Sequence, residues 1–263
     1  MKLKRKDYKG LNGKVMVIGG SKDYIGAPAF VAMAALGTGV DLVTICAPEK
    51  VAWAINSYSP DLITKKFLGE ELNLTHSKEI IALSEKFDVV VIGNGLGLNK
   101  DFVLKLIREI KKPFVIDADA IKVIPLDAVS NSVITPHKTE FEMLYNNTVK
   151  KFPFNEKNME ENIKNIKPFI GNNVILLKGP QDIVFSATKR YVNKTGNNSM
   201  TKGGTGDILA GICAGYMAQG VDLYDAALNS AYYNGKLGEY MYKQKGYGYS
   251  AYEMVHELWR VIR

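Results

Sequence analysis

Six short and almost continuous apolar segments recur along this chain, and helical patterns separate most of them. Apolar runs of this length, without alternating polar residues, are typical of strands that are buried on both faces. When such strands alternate with helices, the pattern predicts a mostly parallel sheet with helices on both of its faces. We therefore predict an α/β fold with three layers. The segments are residues 14–20, 41–46, 89–93, 113–117, 132–136 and 173–178.

The pattern changes after the sixth of these strands. Residues 182–185 and 190–192 predict a hairpin, and an earlier run of small apolar residues over 26–36 predicts a tightly packed helix. Three further helices are expected near the end of the chain, and Ser250 and Glu253 have the spacing of a capping box for the last of them. These helices cover about 206–219, 222–243 and 250–262.

The chain shows no internal repeat and no linker rich in proline, glycine and serine. We therefore expect one domain over residues 1–263, with residues 1–9 as a basic N-terminal tail. The polar stretch over 146–167 is expected to be an insertion or an exposed helix.

The net charge of +7 has two interpretations. Clustered lysines suit a nucleic-acid or other anionic partner, but they are also common on solvated surfaces. No nucleic-acid motif accompanies the charge, so we favour the solvated surface and expect no nucleic-acid partner. The basic residues near the N-terminus are Lys2, Lys4, Arg5, Lys6, Lys9 and Lys14.

The two cysteines, Cys46 and Cys213, lie in separate apolar runs, which argues against a disulfide framework or a zinc site. Free cysteines fit a reducing compartment. The first residues contain no apolar core of a signal peptide, and no apolar run approaches the ~18 residues of a membrane span. We therefore expect a cytoplasmic protein without a membrane partner.

Five of the predicted strands end in glycine or polar residues. In a parallel α/β sheet, ligands bind at the carboxyl ends of the strands, so these five segments are expected to line one site. They are Gly19-Gly20-Ser21, Gly93 to Gly97, Asp117-Ala118-Asp119, Thr135-Pro136-His137 and Lys178-Gly179.

The strongest single motif is the glycine-rich stretch from Gly203 to Asp207, which opens an apolar helical pattern. Glycines let a backbone approach a ligand closely, and the N–H groups of a helix N-terminus bind anions. Asp207 is either a helix cap or a base directed at the group that the anion site holds. An anion site with a base is the minimum needed to transfer a phosphoryl group to a hydroxyl.

The other candidates are weaker on their own. The P-loop pattern of NTPases is absent, and Gly93-x-Gly95-x-Gly97 differs from the dinucleotide fingerprint by one residue, so it is first of all a tight turn. Asp117 and Asp119 suit a metal or a sugar hydroxyl, but either can cap the following helix. His137 suits a ligand contact. Lys178 ends an apolar strand, so its amine needs an anionic ligand, a cap or a salt bridge.

Taken together and in order, these motifs resemble those of NAD(P)H-hydrate dehydratases, within the ribokinase-like superfamily. The resemblance extends from about residue 10 to the end of the chain. The motifs are the first glycine-rich turn with Asp23 to Pro28, Gly95-Leu96-Gly97, Asp117 to Ala120, Thr135 to Phe141, Lys178-Gly179 and Gly203 to Asp207.

The resemblance implies a three-layer ribokinase-like fold and a repair reaction. ADP or ATP would phosphorylate the hydroxyl of hydrated NADH or NADPH, and loss of phosphate would restore the double bond. Asp207 would be the general base, the N–H groups of Gly204, Thr205 and Gly206 would stabilise the phosphoryl oxygens, and Mg²⁺ would accompany the phosphates. The implied substrate-binding residues are Ala27, Gly97, His137 and Asp207. The implied nucleotide-binding residues are Lys178, Gly179, Pro180, Gln181, Asp182, Gly203, Gly204, Thr205 and Gly206.

Three positions depart from the family pattern. Lys122 replaces a usual asparagine, Asp182 replaces a usual threonine, and Asn198 or Ser199 stands where a proline is common. A carboxylate beside a nucleotide phosphate is unfavourable, so we expect Asp182 to point away or its turn to be rearranged. These departures bear on the choice between ADP and ATP.

The resemblance also implies a homo-oligomer, such as a tetramer, and a functional link to an NAD(P)H-hydrate epimerase. Many relatives are fused to that epimerase, and the length of 263 residues leads us to expect it on a separate chain. The main alternative is a ribokinase-like kinase for a thiazole, pyrimidine or sugar hydroxyl, which would leave a stable phosphorylated product. A nucleotide-binding regulator without turnover is less consistent with Asp207, because a carboxylate weakens anion binding.

Overall fold

The computed structural model of the chain describes residues 5–262, and a nine-stranded sheet runs through them. The strand order is β3-β2-β1-β4-β5-β6-β7-β8-β9. Strands β1 to β7 are parallel, and the last two pair antiparallel. The strands are β1 (Lys14–Ile18), β2 (Leu42–Pro48), β3 (Ile63–Phe67), β4 (Val89–Ile92), β5 (Phe114–Ile116), β6 (Ser132–Ile134), β7 (Val174–Leu177), β8 (Ile183–Phe185) and β9 (Arg190–Val192).

Helices cover both faces of this sheet, as predicted. Successive strand residues point to opposite faces, so Val15 and Val17 lie in one core while Met16 and Ile18 lie in the other. The first core includes α1 (Gly26–Gly37), α2 (Glu49–Tyr58), α8 (Thr205–Ala218), α9 (Leu223–Lys245) and α10 (Ala251–His256). The second includes α3 (Ser77–Ser84), α4 (Lys100–Glu109), α5 (Asp119–Val123), α6 (Lys138–Thr148) and α7 (Met159–Ile166).

The six predicted strands, the hairpin and the capping box at Ser250 are all present. Strand β3 was not predicted from the sequence, because Lys65 and Lys66 interrupt its apolar pattern. Within the described residues, strand β3 pairs only with β2, so it lies at the edge of the sheet, where lysines discourage pairing with another chain. The last predicted helix is shorter than expected, since α10 ends at His256 and a 3₁₀ turn covers Leu258–Arg260.

The segment over 146–167 differs from the prediction of an exposed helix. Its helix, α7, buries Asn162, Ile163 and Ile166 against the second core. Asn162 is satisfied there because its amide donates to the carbonyl of Asn155 and accepts that residue's N–H. A helix this polar can therefore still cover the sheet with one face.

The described part of the predicted N-terminal tail is anchored to the protein, while Lys2 and Lys4 lie outside the described residues. The guanidinium of Arg5 donates to the carbonyl of Gly39 and to Asp41. The backbone N–H of Lys6 donates to the Asn12 side chain at 2.7 Å. These contacts hold Arg5 against the loop that precedes β2 and Lys6 against Asn12.

Helices α1 and α8 pack unusually closely, as the small residues of α1 predicted. A Cβ on Gly211 would lie 2.3 Å from the carbonyl oxygen of Val31, and one on Gly215 would lie 2.1 Å from Thr38 Oγ1. Only glycine fits at either position. This contact fixes the position of α8, whose N-terminus carries the glycine-rich motif.

Both cysteines, Cys46 and Cys213, are buried and free. Among residues 5–262, no helix has both the length and the apolar composition needed to cross a membrane.

Candidate active site

The loops after β1 and β4 meet at the point where the strand order reverses, which is the usual ligand site of such sheets. The backbones there are close together. A Cβ on Gly19 would lie 2.4 Å from the carbonyl oxygen of Asn94, and one on Gly93 would lie 1.9 Å from that of Asp117. Gly20 donates its N–H to Asn94 at 3.0 Å. The glycines are therefore required for these loops to approach each other.

The glycine-rich motif forms the N-terminus of α8, as predicted. Gly204 is the N-cap with a φ of 95°, a conformation that favours glycine. The hydroxyl of Thr205 donates to the carbonyls of Met200 and Lys202, which fixes the preceding loop. The first-turn N–H groups have no acceptor within the helix, and N–H groups in this arrangement are suited to bind an anion. Asp207 lies in that same turn.

Asp207 is mostly buried, and its surroundings raise its pKa to about 7. Burial is the main cause, and the charge of Asp117 adds to it. A hydrogen bond of 2.7 Å from the Asn94 amide and the charge of Lys178 oppose the rise. A carboxylate with a pKa near 7 is well suited to accept a proton at neutral pH.

Lys178 forms a buried ion pair at the centre of the site. Its amine lies 2.8 Å from Asp117 Oδ1 and 3.8 Å from Glu140 Oε2. Burial lowers the pKa of Lys178, but the charges of Asp117 and Glu140 outweigh burial and hold that pKa above its usual value. Thr135 also donates to Asp117 at 2.8 Å. Of the three alternatives for Lys178, the structure shows the salt bridge.

Ala27 and Gly97, two of the residues that the resemblance assigns to the substrate, lie where α1 meets the loop after β4. A Cβ on Gly95 would lie 3.4 Å from that of Ala27, so α1 contacts the loop that contains Gly97. Gly97 donates its N–H to Asp119 at 2.9 Å, and Asp119 pairs with Lys122 at 2.7 Å. Asp119 therefore orders this loop and opens α5, and Lys122, which departs from the family pattern, is its partner.

His137, the third of these residues, has a structural role in addition to any ligand contact. Its imidazole Nδ1 accepts the N–H groups of Thr139 and Glu140, so it caps α6. Glu140 completes the capping box by accepting the N–H of His137 at 2.8 Å. The imidazole remains about half exposed. This cap was not predicted from the sequence.

The two segments predicted to bind the nucleotide meet at Lys178. A Cβ on Gly206 would lie 3.3 Å from the Lys178 amine. Asp182 turns back into its own loop, where its carboxylate accepts the N–H of Gly179 at 3.1 Å and an amide N–H of Asn193. Of the two expectations for Asp182, this arrangement matches the one in which its side chain points away. Pro180 and Gln181 are exposed at its tip.

Three polar residues of the cluster, Asn94, Thr135 and Glu140, lie in segments that the sequence pointed to, but no individual role was predicted for any of them. Each lies within a motif that was recognised for another residue. Thr135 and Glu140 flank His137, and Asn94 stands between two glycines directly after a buried strand. The sequence feature that could have indicated a role for Asn94 is its polar side chain between Gly93 and Gly95, directly after a buried strand.

Comparison with known proteins identifies the family of this chain. The family model for NAD(P)H-hydrate dehydratases matches residues 15–260. The chain belongs to the NAD(P)H-hydrate dehydratase family. The bifunctional NAD(P)H-hydrate repair enzyme Nnr of Methanothermobacter thermautotrophicus is 38% identical over 259 residues, covering 94% of this chain and 49% of the relative. The ADP-dependent (S)-NAD(P)H-hydrate dehydratase of Nitrosopumilus maritimus is 33% identical, covering 99% and 92%.

The chain spans about half the length of the bifunctional relatives that it matches. Among solved structures, the ADP/ATP-dependent NAD(P)H-hydrate dehydratase of Bacillus subtilis, co-crystallised with ATP/Mg²⁺ and soaked with CoA, is 25% identical. It has a TM-score of 0.79 and covers 98% of this chain and 92% of its own. The hydroxyethylthiazole kinase of Pyrococcus horikoshii, at 16% identity and a TM-score of 0.62, shares the fold alone. The family and the ribokinase-like fold that the motifs indicated are thus confirmed.

Replacing the central lysine should destabilise the dehydratase-family fold strongly. Lys178→Met leaves Asp117 and Glu140 buried without their cation, so we expect a loss of roughly 3–5 kcal/mol in the free energy of unfolding. Urea unfolding at neutral pH measures the loss. The double variant Lys178→Met/Asp117→Asn should recover part of it, because one uncompensated charge is removed. Equal stability of the wild type and Lys178→Met would contradict the ion pair.

Two adjacent glycines should respond differently to the same substitution. Gly204→Ala places a side chain at a φ of 95°, with its Cβ 2.6 Å from that of Ala251, so we expect a loss of at least about 1 kcal/mol. Gly203→Ala meets open space, so its effect should stay within about 0.5 kcal/mol. Thermal unfolding of the two variants compares them. A similar effect of both would mean that Gly204 is not held in this conformation.

Proposed function

We propose that this protein restores NADH or NADPH from the (S)-hydrate by ADP- or ATP-dependent dehydration. The observation that supports the chemistry is Asp207, a carboxylate with a pKa of about 7 in the first turn of α8. This base would lie beside backbone N–H groups that can donate hydrogen bonds to an anion. The choice of substrate rests on the family and on relatives named as NAD(P)H-hydrate dehydratases.

In the proposed reaction, Asp207 accepts the proton of the hydrate hydroxyl as that oxygen attacks the terminal phosphorus of the donor. The bond from this phosphorus to the bridging oxygen breaks, and AMP leaves from ADP or ADP leaves from ATP. The N–H groups of Gly204, Thr205 and Gly206 stabilise the charge on the transferred phosphoryl group. Phosphate then leaves together with a proton of the neighbouring carbon, and the double bond of the ring is restored. The phosphoryl step makes chemical sense because phosphate is a far better leaving group than hydroxide.

The substrate and the donor are proposed to bind at different loops around Asp207. Ala27, Gly97 and His137 would contact the hydrated dinucleotide. The donor would lie along Lys178, Gly179, Pro180, Gln181 and Asp182, with Gly203 and the N–H groups of α8 at its phosphates. Asp182 accepts the N–H of Gly179, so it directs its charge into the turn rather than toward a phosphate.

Mg²⁺ is proposed to accompany the donor, where it would neutralise phosphate charge. Within residues 5–262, no group of three or more His, Cys, Asp or Glu side chains is arranged to hold a metal. This arrangement is compatible with Mg²⁺ that is bound mainly by phosphates and water and has few protein ligands.

We also propose that the protein forms a homo-oligomer, such as a tetramer. Exposed aromatic side chains on α2 and α10 support it, since Trp53, Tyr58 and Tyr252 are all accessible and the last two rings lie 6.0 Å apart. Apolar surface of this kind is typical of protein interfaces. We also propose a functional link to an NAD(P)H-hydrate epimerase. A cytoplasmic location is supported by the free cysteines.

The proposed function is tested by mixing the protein, Mg²⁺ and hydrated NADH with ADP or ATP in parallel. We expect recovery of the absorbance band of reduced nicotinamide with at least one donor, and the two reactions together establish donor preference. Thiazole, pyrimidine and sugar alcohols serve as control substrates. A stable phosphorylated product from one of them, without recovery of NADH, would favour the alternative kinase function.

Replacing the proposed base should separate activity from stability. Asp207→Asn should lower kcat by about 10²–10⁴-fold, because general base catalysis is lost. In the wild type, kcat should fall as pH decreases through about 7, where Asp207 gains its proton.

The same variant should be more stable than the wild type at pH 8. The pKa of Asp207 is raised on folding, so its ionised form opposes folding above about pH 7 and Asn removes that cost. Steady-state kinetics and urea unfolding across pH measure both effects. Retained activity would exclude Asp207 as the base.

A further inference from the structure

Asn94 is a fully buried amide that connects two carboxylates of the site. Its Nδ2 atom donates to Asp207 Oδ1 at 2.7 Å and to Asp117 Oδ2 at 2.9 Å. The two carboxylates come from different parts of the fold, the N-terminus of α8 and the end of β5. The amide therefore joins a helix to a strand through a single nitrogen.

The orientation of this amide follows from its partners. Asp117 already accepts hydrogen bonds from Lys178 and Thr135, so it acts as an acceptor, and Asp207 is an acceptor whenever it is ionised. Only the nitrogen of Asn94 can serve both. Its oxygen is left buried without a hydrogen-bond partner among residues 5–262. An unsatisfied buried oxygen costs stability, so the amide is poorly explained as a purely structural feature.

The hydrogen bond has a direct consequence for Asp207. It engages Oδ1 and thereby orients Oδ2 as the oxygen that receives a proton. It also favours the ionised carboxylate and opposes the effects of burial. The charged groups that act on Asp207 are Asp117, Lys178 and Glu140. Of these, Asp117 and Glu140 raise the pKa of Asp207, so Asn94 works with Lys178 against them.

We propose that Asn94 is a positioning residue, whose amide fixes the Asp207 carboxylate for proton transfer and keeps it ionised at neutral pH. This inference rests on the proposed role of Asp207 as the base. Asn94 itself touches neither the substrate nor the donor in this proposal. It acts through Asp207, and Asp117 provides the fixed second contact that holds the amide in place.

The decisive measurement is the titration of Asp207 in the full chain, by ¹³C NMR of protein labelled at aspartate carboxyl groups. The Asp207 resonance is assigned by its loss in Asp207→Asn. Asn94→Leu has a similar volume and no N–H donor, so we expect the pKa of Asp207 to rise clearly above the wild-type value. Asn162→Leu is the matched control, because Asn162 is an equally buried amide whose partner is Asn155 on another part of the fold.

Kinetics provide the second measurement. With hydrated NADH, Asn94→Leu should lower kcat at pH 7 by about 10-fold or more, with KM values for substrate and donor within about 3-fold of the wild type. In this variant, the pH at which kcat falls on acidification should be higher than in the wild type. Part of the lost activity should therefore return when the pH is raised. Asn162→Leu should lower the melting temperature without changing the pH at which kcat falls.

The outcomes separate this inference from the proposed function. If the wild type does not act on the hydrate, the proposed function fails, and the NMR titration still decides whether Asn94 controls Asp207. If Asn94→Leu leaves both the titration and kcat unchanged, the inference is wrong. If Asn94→Leu does not fold, Asn94→Ser, which keeps one smaller donor, takes its place with the same expected direction and the same contradicting result.

Discussion

Lys178 and Asp117 form the ion pair on which the other polar contacts of the site depend. Asp117 directly follows β5 and Lys178 directly follows β7, and strand β6 lies between these two strands in the sheet. The negative charge of Asp117 raises the pKa of Asp207, and the positive charge of Lys178 lowers it. Without the lysine, three carboxylates would face one another in a site that is largely shielded from water.

The balance of charges explains how a carboxylate acquires a pKa near neutrality without losing its ionised form. Burial and Asp117 raise the pKa of Asp207, while Asn94 and Lys178 limit the rise. The three side chains come from three different loops, those after β4, β5 and β7. The parallel sheet brings them together because the carboxyl ends of its strands all meet at one edge. The glycines at Gly19 and Gly93 then let the loops approach closely enough for their side chains to interact.

Much of the fold was predictable, because the strands that carry the site are buried on both faces and read as plain apolar runs. Strand β3 was not predictable in this way, since an edge strand needs no such run and Lys65 and Lys66 mask it. The same contrast holds in the site. Asp207 was recognisable from the glycines beside it, whereas the roles of Asn94 and of His137 as a cap depend on contacts with residues far away or on local hydrogen bonds. A pattern along the chain indicates which loops meet, but not which side chain bonds to which.

The packing of Gly204 links the glycine-rich loop to the end of the chain. A side chain at this glycine would collide with Ala251, the first residue of α10, and with Phe30 of α1. Lys202 adds a second link, since its amine donates to the carbonyls of Tyr247 and Tyr249 just before that helix. The glycine-rich loop and the last described helix, α10, are therefore parts of one cooperative unit. Local unfolding of α10 would remove contacts that hold the glycine-rich loop and the N-terminus of α8 in place.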